Sequence, residues 1–317
     1  MLKNGRIFVA GHRGLVGSAI VRRLKRDGYS NLICRRRSEL DLTDQSAVFN
    51  FFSSLQPNYV FLAAARVGGI LANSTRPADF IRDNLLIQTN IIDAAQRCGV
   101  EKLVFLGSSC IYPKHCPQPI KEEYLLDGPL EATNDAYAVA KVAGIKMVQA
   151  YRKQYGFDGI SLMPTNLYGP GDNYDLDSSH VLPALIRKFH DAKVSGAKNV
   201  VIWGTGKPMR EFLHVDDLAD AAVFLMNHYS SAEIVNVGTG QDISILGLAW
   251  LIRDVVGCSC EIINDASKPD GTPRKLLDVT RLSVLGWKAR IGLTEGIRQT
   301  YQAYLEAEPQ KTVAAYA

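Results

Sequence analysis

A tyrosine and a lysine four residues apart are the first pair in this chain with evident chemistry. They are Tyr137 and Lys141, in the run Asn134-Asp135-Ala136-Tyr137-Ala138-Val139-Ala140-Lys141-Val142-Ala143-Gly144-Ile145. On a helix that spacing puts both side chains on one face. A phenol ordinarily ionises near pH ~10, but a fixed ammonium beside it favours the phenolate and makes the hydroxyl a usable proton donor or acceptor near neutrality, as carbonyl reduction requires. The alanines around the pair leave room for a flat, bulky group, while Val142, Ile145 and Val148 form the face that packs into a core. With 13 tyrosines in the chain, about one such spacing arises by chance, so the pair carries weight only if the rest of the chain supplies its partners.

The partners begin near the amino terminus. Residues 6–10 read as a strand, followed by Gly11-His12-Arg13-Gly14-Leu15-Val16-Gly17 and an amphipathic helix to about residue 26. Glycines there permit a tight turn and close approach of backbone N–H groups to a pyrophosphate, whose charge the helix N-terminus favours. The strand, glycine turn and helix together point to dinucleotide binding. A second strand, 31–34, ends in Arg35-Arg36-Arg37, where binders of the non-phosphorylated dinucleotide place an acid to hold the ribose 2′-hydroxyl. Arginine there suits a 2′-phosphate, so the expected cofactor is NADP(H), with Arg13 a second candidate for the phosphate. Asp41 and Leu42 flank the adenine, or else Asp41 caps a helix.

Residues 60–65 and 102–106 are continuous apolar runs of the kind that buried parallel strands show, with a helix over 77–98 between them ended by Gly99. The pattern is βαβαβ. Ligands in such sheets lie at the carboxyl ends of strands, which is where Leu106-Gly107-Ser108-Ser109-Cys110-Ile111-Tyr112-Pro113 falls. Ser108 is then placed to hydrogen-bond a substrate carbonyl beside Tyr137, and Cys110 is either a thiol at the reaction centre or a small buried hydrophobe.

At 317 residues the chain can build one large or two modest domains. Lys+Arg of 36 against Asp+Glu of 32 leaves a net +4, too mild for a nucleic-acid partner and compatible with a local anion site. No apolar run is long enough to span a bilayer and a strand starts almost at the first residue, so a cytoplasmic protein without membrane partner or cleavable signal is expected. Six cysteines lack the paired spacing of a zinc site, which leaves no metal and predicts free thiols. Arg210, after a glycine turn, is a cation for a diphosphate or the partner of a surface carboxylate. Trp203, ending a strand, stacks on a purine or caps the core. Asp270 contacts a nucleoside or only turns the chain at Asp270-Gly271.

The glycine turn, Ser108, Tyr137 and Lys141, in this order, resemble the extended short-chain dehydrogenase/reductase family. Pro164-Thr165-Asn166-Leu167-Tyr168-Gly169-Pro170 and the stretch 203–217 resemble its nucleotide-sugar members. The 107–113 loop, Ser179-His180-Val181 and 268–275 are similar to members that epimerise and reduce GDP-linked 4-keto sugars, and the likeness spans nearly the whole chain. That resemblance implies NADPH-dependent 3,5-epimerisation and 4-reduction of GDP-4-keto-6-deoxy-D-mannose to GDP-L-fucose. A 5-epimerising relative acting on the 3-deoxy sugar to give GDP-colitose, and a catalytically silent NADPH-sensing protein, are the alternatives. By the same likeness Tyr137, Lys141 and Ser108 form the reductase site, and Cys110 and His180 the epimerase acid/base pair. The 11–17 turn, Arg36, Arg37, Asp41, Leu42, Leu106, Gly107, Ser108, Ser109, Lys141, Pro164, Thr165, Asn166, Leu167 and His180 line NADP(H). Lys188, Trp203, Arg210, Asp270 and Lys275 hold the GDP-sugar; arginine can stand at the position of Lys188 in the family, and lysine makes that contact a point charge.

The expected architecture is a doubly wound parallel sheet over residues 1–172, rejoined by 234–240, with a smaller α/β substrate domain over 173–317. Helices 77–98 and 134–154 carry more apolar positions than one sheet face covers, among them Leu85, Ile87, Val148 and Tyr151, so a homodimer is expected. Residues from Pro309 read as a frayed tail.

Overall fold

Four consecutive apolar residues have no polar face to offer water, and Ile7–Ala10 accordingly forms a fully buried strand, β1, at the heart of a parallel sheet. The computed structural model describes residues 1–268 and 270–315, with the side chains of residues 70, 71 and 308–315 outside the description. After β1 come α1 (Leu15–Arg26), β2 (Leu32–Ile33), α2 (Gln45–Leu55), β3 (Tyr59–Leu62), α3 (Ile70–Thr75), α4 (Pro77–Arg97), β4 (Lys102–Leu106), α5 (Asp135–Tyr155), β5 (Gly159–Pro164) and β6 (Asn166–Tyr168). The remainder is α6 (Val181–Ser195), β7 (Asn199–Trp203), β8 (Met209–His214), α7 (Val215–His228), β9 (Val235–Val237), β10 (Asp242–Ser244), α8 (Ile245–Val256), β11 (Glu261–Asp265), β12 (Arg274–Lys275), α9 (Thr280–Val284) and α10 (Leu293–Ala315).

The main sheet runs β2-β1-β3-β4-β5-β9, with every pair parallel. Its order reverses at β1, which opens a crevice outside the carboxyl ends of β1 and β3. Alternate residues serve opposite layers: Ile7, Val9 and Phe61 pack with Ile20, Leu24, Leu218 and Ala222 of α1 and α7. Phe8, Val60 and Leu62 pack with Val48 and Phe52 of α2, Ile91 of α4 and Val148 of α5. A third core, built by Leu185, Phe189, Ile202, Leu248 and Ile252, sits under α6, α8 and α10 in the second half of the chain. There β8 pairs with β6, β10 and β12, and β11 pairs with β7. Val235 returns to lie beside Leu162, so a strand from the second half closes the first sheet.

The structure departs from the sequence-based expectations in several places. Helix α2 was not anticipated; Asp44 caps it by accepting from the Ala47 N–H at 2.9 Å. Asp41, weighed as a helix cap, instead closes a local turn onto Thr43. Cys258 and Cys260, expected as thiols, are joined as a disulfide, their Cα atoms 5.5 Å apart across a single residue. Of the positions expected to exceed one sheet face, Val148 is buried within the subunit and Ile87 and Tyr151 pack against the same core. Leu86, Val139 and Tyr155 are the large apolar side chains that α4 and α5 leave exposed. No described helix is long and apolar enough to cross a membrane. The tail from Pro309, expected to fray, has helical backbone to Ala315 and otherwise lies outside the described residues, as does Pro269.

Candidate active site

The glycine turn is shaped by close approach. Gly11 has φ +83° and sits against the Ala63–Ala64 backbone, while a Cβ on Gly17 would run into the Gly11 carbonyl and push α1 away from the turn. Gly14 is the N-cap of α1 and offers no side-chain cap, which leaves the first N–H groups of the helix to an anion from outside. Leu15 and Val16 turn partly inward against the α1 and α7 core. Arg13 is exposed beside the turn, and together with Arg36 it depresses the basicity of His12, after burial, which is the larger effect. Arg37 is 80% exposed with Asp41 at 4.0 Å. Arg35 is diverted: its guanidinium lies over Phe51 and donates to the Cys34 carbonyl. Leu42 gives its carbonyl to Asn90 at 3.0 Å. The cradle, the uncapped helix and three exposed arginines fit a phosphorylated dinucleotide.

Beyond β4, Gly107 is held by its N–H to the Leu162 carbonyl at 2.8 Å, and Ser108 caps a short 3-10 turn by accepting from the Cys110 N–H at 3.3 Å. Ser109 is buried under that turn. Helix α5 is clamped to α4 by Gln88, which donates to the Ala140 carbonyl at 2.6 Å, and this fixes the height of Tyr137 and Lys141 over the sheet. Lys141 is buried and donates to the Leu106 carbonyl at 2.8 Å, with its ammonium 5.8 Å from the Tyr137 ring centre. Ser108 lies against the Tyr137 hydroxyl and favours its ionised form, but burial and the nearby Cys110 outweigh it, so the phenol is pushed up. Burial pulls Lys141 down to about 8. The expectation that the ammonium beside it would favour the phenolate is thus corrected: desolvation dominates both groups, and the Leu106 carbonyl takes the lysine's hydrogen bond.

Cys110 is buried, and burial raises its thiol; Lys275, the Ser108 hydroxyl and Lys141 pull the other way. His180 caps α6 with its backbone and makes no side-chain cap bond, so its ring is left for other work. The loop before it is tied by Asp175 to Ser178 and docked where Gly69 N–H meets the Ser178 carbonyl at 3.0 Å. Although His180 as a residue is exposed at the rim, burial of its titrating ring lowers its basicity, and Lys275 lowers it further. Lys275 therefore acts on both Cys110 and His180. Pro164 ends β5 at the same rim; Thr165 and Asn166 donate to the Glu211 carbonyl at 3.2 and 2.8 Å, and Leu167 packs inward.

Parallel pairing of β12 with β8 sets Lys275 beside Arg210, two cations in register. Burial lowers the basicity of both. The carboxylate facing them is Glu131, which also accepts from Lys114 at 3.0 Å and Thr272 at 3.2 Å. Sequence reasoning missed Glu131 because it sits in a loop with no recognisable motif. Lys188 donates to the Val201 carbonyl at 3.0 Å and lies 5.9 Å from the ring of Trp203, which is 56% exposed. Asp270 binds the Thr205 N–H and hydroxyl at 2.7 and 2.8 Å, using one oxygen for each, and so clasps the 204–206 turn. Among the described residues no cluster could hold a metal ion.

A parallel sheet whose order reverses beside a glycine turn, with a tyrosine, serine and lysine over its carboxyl edge, is the architecture of a Rossmann dinucleotide enzyme. Residues 7–238 match the NAD dependent epimerase/dehydratase family, and the chain belongs to it. It is 63% identical to a protein of Oryza sativa subsp. japonica described as probable GDP-L-fucose synthase 1, over 96% of this chain and 93% of that one. The GDP-L-fucose synthase of Escherichia coli (strain K12) is 55% identical over 95% and 97% of the two chains. A GDP-L-colitose synthase of Yersinia pseudotuberculosis is 37% identical over 95% and 98%. Among solved structures, a GDP-6-OMe-4-keto-L-xylo-heptose reductase from C. jejuni superposes with a TM-score of 0.93 at 40% identity, covering 97% of this chain and 99% of that one. A GDP-L-fucose synthetase from Naegleria fowleri bound to NADP gives 0.91 at 30% identity, covering 98% and 95%.

Proposed function

We propose that this enzyme uses NADPH to convert GDP-4-keto-6-deoxy-D-mannose to GDP-L-fucose by 3,5-epimerisation and 4-reduction. The observation that carries the proposal is the likeness, at 55–63% identity over nearly full length, to proteins named for that product, against 37% for the colitose enzyme. Turnover of the 3-hydroxy and 3-deoxy GDP-sugars, followed by NADPH consumption, tests it. The 3-hydroxy sugar is expected to react at least ten times more efficiently, and preference for the 3-deoxy sugar would overturn the assignment.

Residues 1–172 with 234–240 hold the cofactor in this reading, and 173–317 hold the nucleotide sugar. The 11–17 turn and the N-terminus of α1 take the pyrophosphate, Arg13, Arg36 and Arg37 the 2′-phosphate, and Asp41 and Leu42 flank the adenine. Leu106 to Ser109, Lys141, Pro164 to Leu167 and His180 line the nicotinamide end. When bound, NADPH supplies the hydride that reduces C4. Lys275, Arg210 and Lys188 neutralise the diphosphate, Trp203 takes the base, and Asp270 keeps the 204–206 turn in place. Protons at C3 and C5 are acidic because their removal leaves charge on the C4 oxygen, where Tyr137 and Ser108 stabilise it. Cys110 removes each proton, His180 returns one on the opposite face, and Tyr137, held by Lys141, then protonates the C4 oxygen.

Arg37→Ala tests the cofactor assignment. Losing one charge-assisted phosphate contact is expected to weaken NADPH about 10- to 100-fold while NADH changes little. Fluorescence titration of both nucleotides reads this, and an equal loss for the two would remove Arg37 from the phosphate site. A homodimer is proposed through α4 and α5, supported by the exposed Leu86, Val139 and Tyr155 on that helix pair. Light scattering at micromolar concentration is expected to give twice the mass of the 34.9 kDa chain, and the monomer mass would refute it.

A further inference from the structure

The outward face of the β7–β11 pair brings two charged side chains, Asp265 and Lys268, beside Trp203 that the site described above leaves without a role. Parallel register sets Asp265 directly beside Trp203 and Ile263 beside Val201, and side chains in register point to the same side of a sheet. Both hydrogen bonds that Asp265 receives from Ser267, from its N–H at 3.0 Å and its hydroxyl at 2.6 Å, go to Oδ1; Oδ2 receives none among the described residues. Those same bonds hold the carboxyl below its ordinary range, so it is an anion and accepts only. Lys268, a donor only, follows in the next turn: its backbone N–H bonds the Asp265 carbonyl at 3.2 Å, and its ammonium stands 5.6 Å from the centre of the Trp203 ring. The other carboxylate near this turn, Asp270, has both oxygens engaged by Thr205, and Lys188 is engaged by the Val201 carbonyl.

An exposed indole flanked by one acceptor and one donor, both without a hydrogen-bond partner among the described residues, matches the edge of a single purine. The geometry points to a guanine-reading subsite, resting on the GDP-sugar reading above, in which the base lies on Trp203, Oδ2 of Asp265 accepts from guanine N1–H and N2–H, and Lys268 donates to O6 and N7. Adenine in that pose turns an unprotonated ring nitrogen toward the carboxylate and an amino group toward the ammonium. Both contacts become repulsive, so the pair selects by exclusion as well as by attraction. Hypoxanthine keeps N1–H and O6 but lacks the exocyclic amino group, and so isolates the bond to Asp265.

Calorimetric titration of the NADPH-loaded enzyme with GDP, IDP and ADP tests this. Wild type is expected to bind in that order of strength, with about tenfold or more between GDP and IDP. Asp265→Asn retains an oxygen for Ser267 while turning the free atom into an amide donor. It is expected to weaken GDP about 10- to 100-fold, to the level of IDP, with a smaller change for IDP. Lys268→Met is expected to weaken GDP and IDP alike and to strengthen ADP, from which it lifts a repulsive contact. Unaltered NADPH titration in both variants marks an intact fold. A wild type that binds ADP as tightly as GDP would refute the GDP-sugar reading itself. A wild type that discriminates, with an Asp265→Asn variant that keeps its GDP-to-IDP ratio and a Lys268→Met variant that keeps its GDP-to-ADP ratio, would overturn only the roles of Asp265 and Lys268.

Discussion

Tyr137→Phe is expected to lower ketone reduction by about 10²–10⁴-fold, the usual worth of a positioned general acid, while part of the solvent exchange at C3 and C5 survives. Reduction needs a proton delivered to the C4 oxygen, and phenylalanine has none to give. Exchange needs only that the enolate oxygen be stabilised, and Ser108 remains at the same end of β4 to do this. The substitution leaves the Phe80 edge contact with the ring, at 6.5 Å, available to hold it in place. NADPH oxidation measured beside deuterium uptake in heavy water separates the two outcomes. Equal loss of both would mean that Tyr137 positions the sugar and does not act as the acid. The pH profile carries a further sign. Lys141 is an ammonium below about 8 and neutral above it, and the ammonium is the form that stabilises a tyrosinate left after proton delivery. Reduction is therefore expected to fall as pH rises past about 8.

The parts of this molecule that local chemistry dictates were legible in the chain. A glycine turn between a buried strand and an amphipathic helix has one main structural outcome, and the strand runs 60–65 and 102–106 could only be central because they have no polar side. What escaped was set by neighbours remote in sequence. Arg35 looks equivalent to Arg36 and Arg37 until α2, which was not foreseen, brings Phe51 beneath it. Spacing places Tyr137 and Lys141 on one face but says nothing of desolvation, which reverses the simple expectation for the phenol. Glu131 meets Arg210 and Lys275 only through a motif-free loop that folds back beside the paired β8 and β12. The partnership of Asp265 with Trp203 is a register between two strands about sixty residues apart, which no motif announces.

Cys110→Ser is expected to abolish most deuterium uptake at C3 and C5 while reduction of the unepimerised ketone persists. A serine hydroxyl is far too weakly acidic to serve as the base, yet it fills the same small buried space between β4 and α5 and keeps the 3-10 turn that Ser108 caps. Product analysis should then show the C4-reduced sugar with the configuration at C3 and C5 retained. The order of roles has its own consequence. Burial holds the Cys110 thiol up and the His180 ring down, so near neutrality the resting site contains a protonated thiol and a neutral imidazole. If Cys110 is the base, it must first lose its proton, and Lys275, which favours the thiolate, makes that loss easier. Exchange should then rise with pH through the neutral and mildly alkaline range, opposite to the decline expected for reduction. With His180 as base the imidazole would already be unprotonated, and exchange would be flat across the same range. His180→Gln completes the test: with Cys110 as base, one face should still lose its proton and take up deuterium without inversion. A Cys110→Ser enzyme with normal deuterium uptake and normal product would remove the thiol from the epimerisation altogether and leave Tyr137 the centre of a plain ketone reductase.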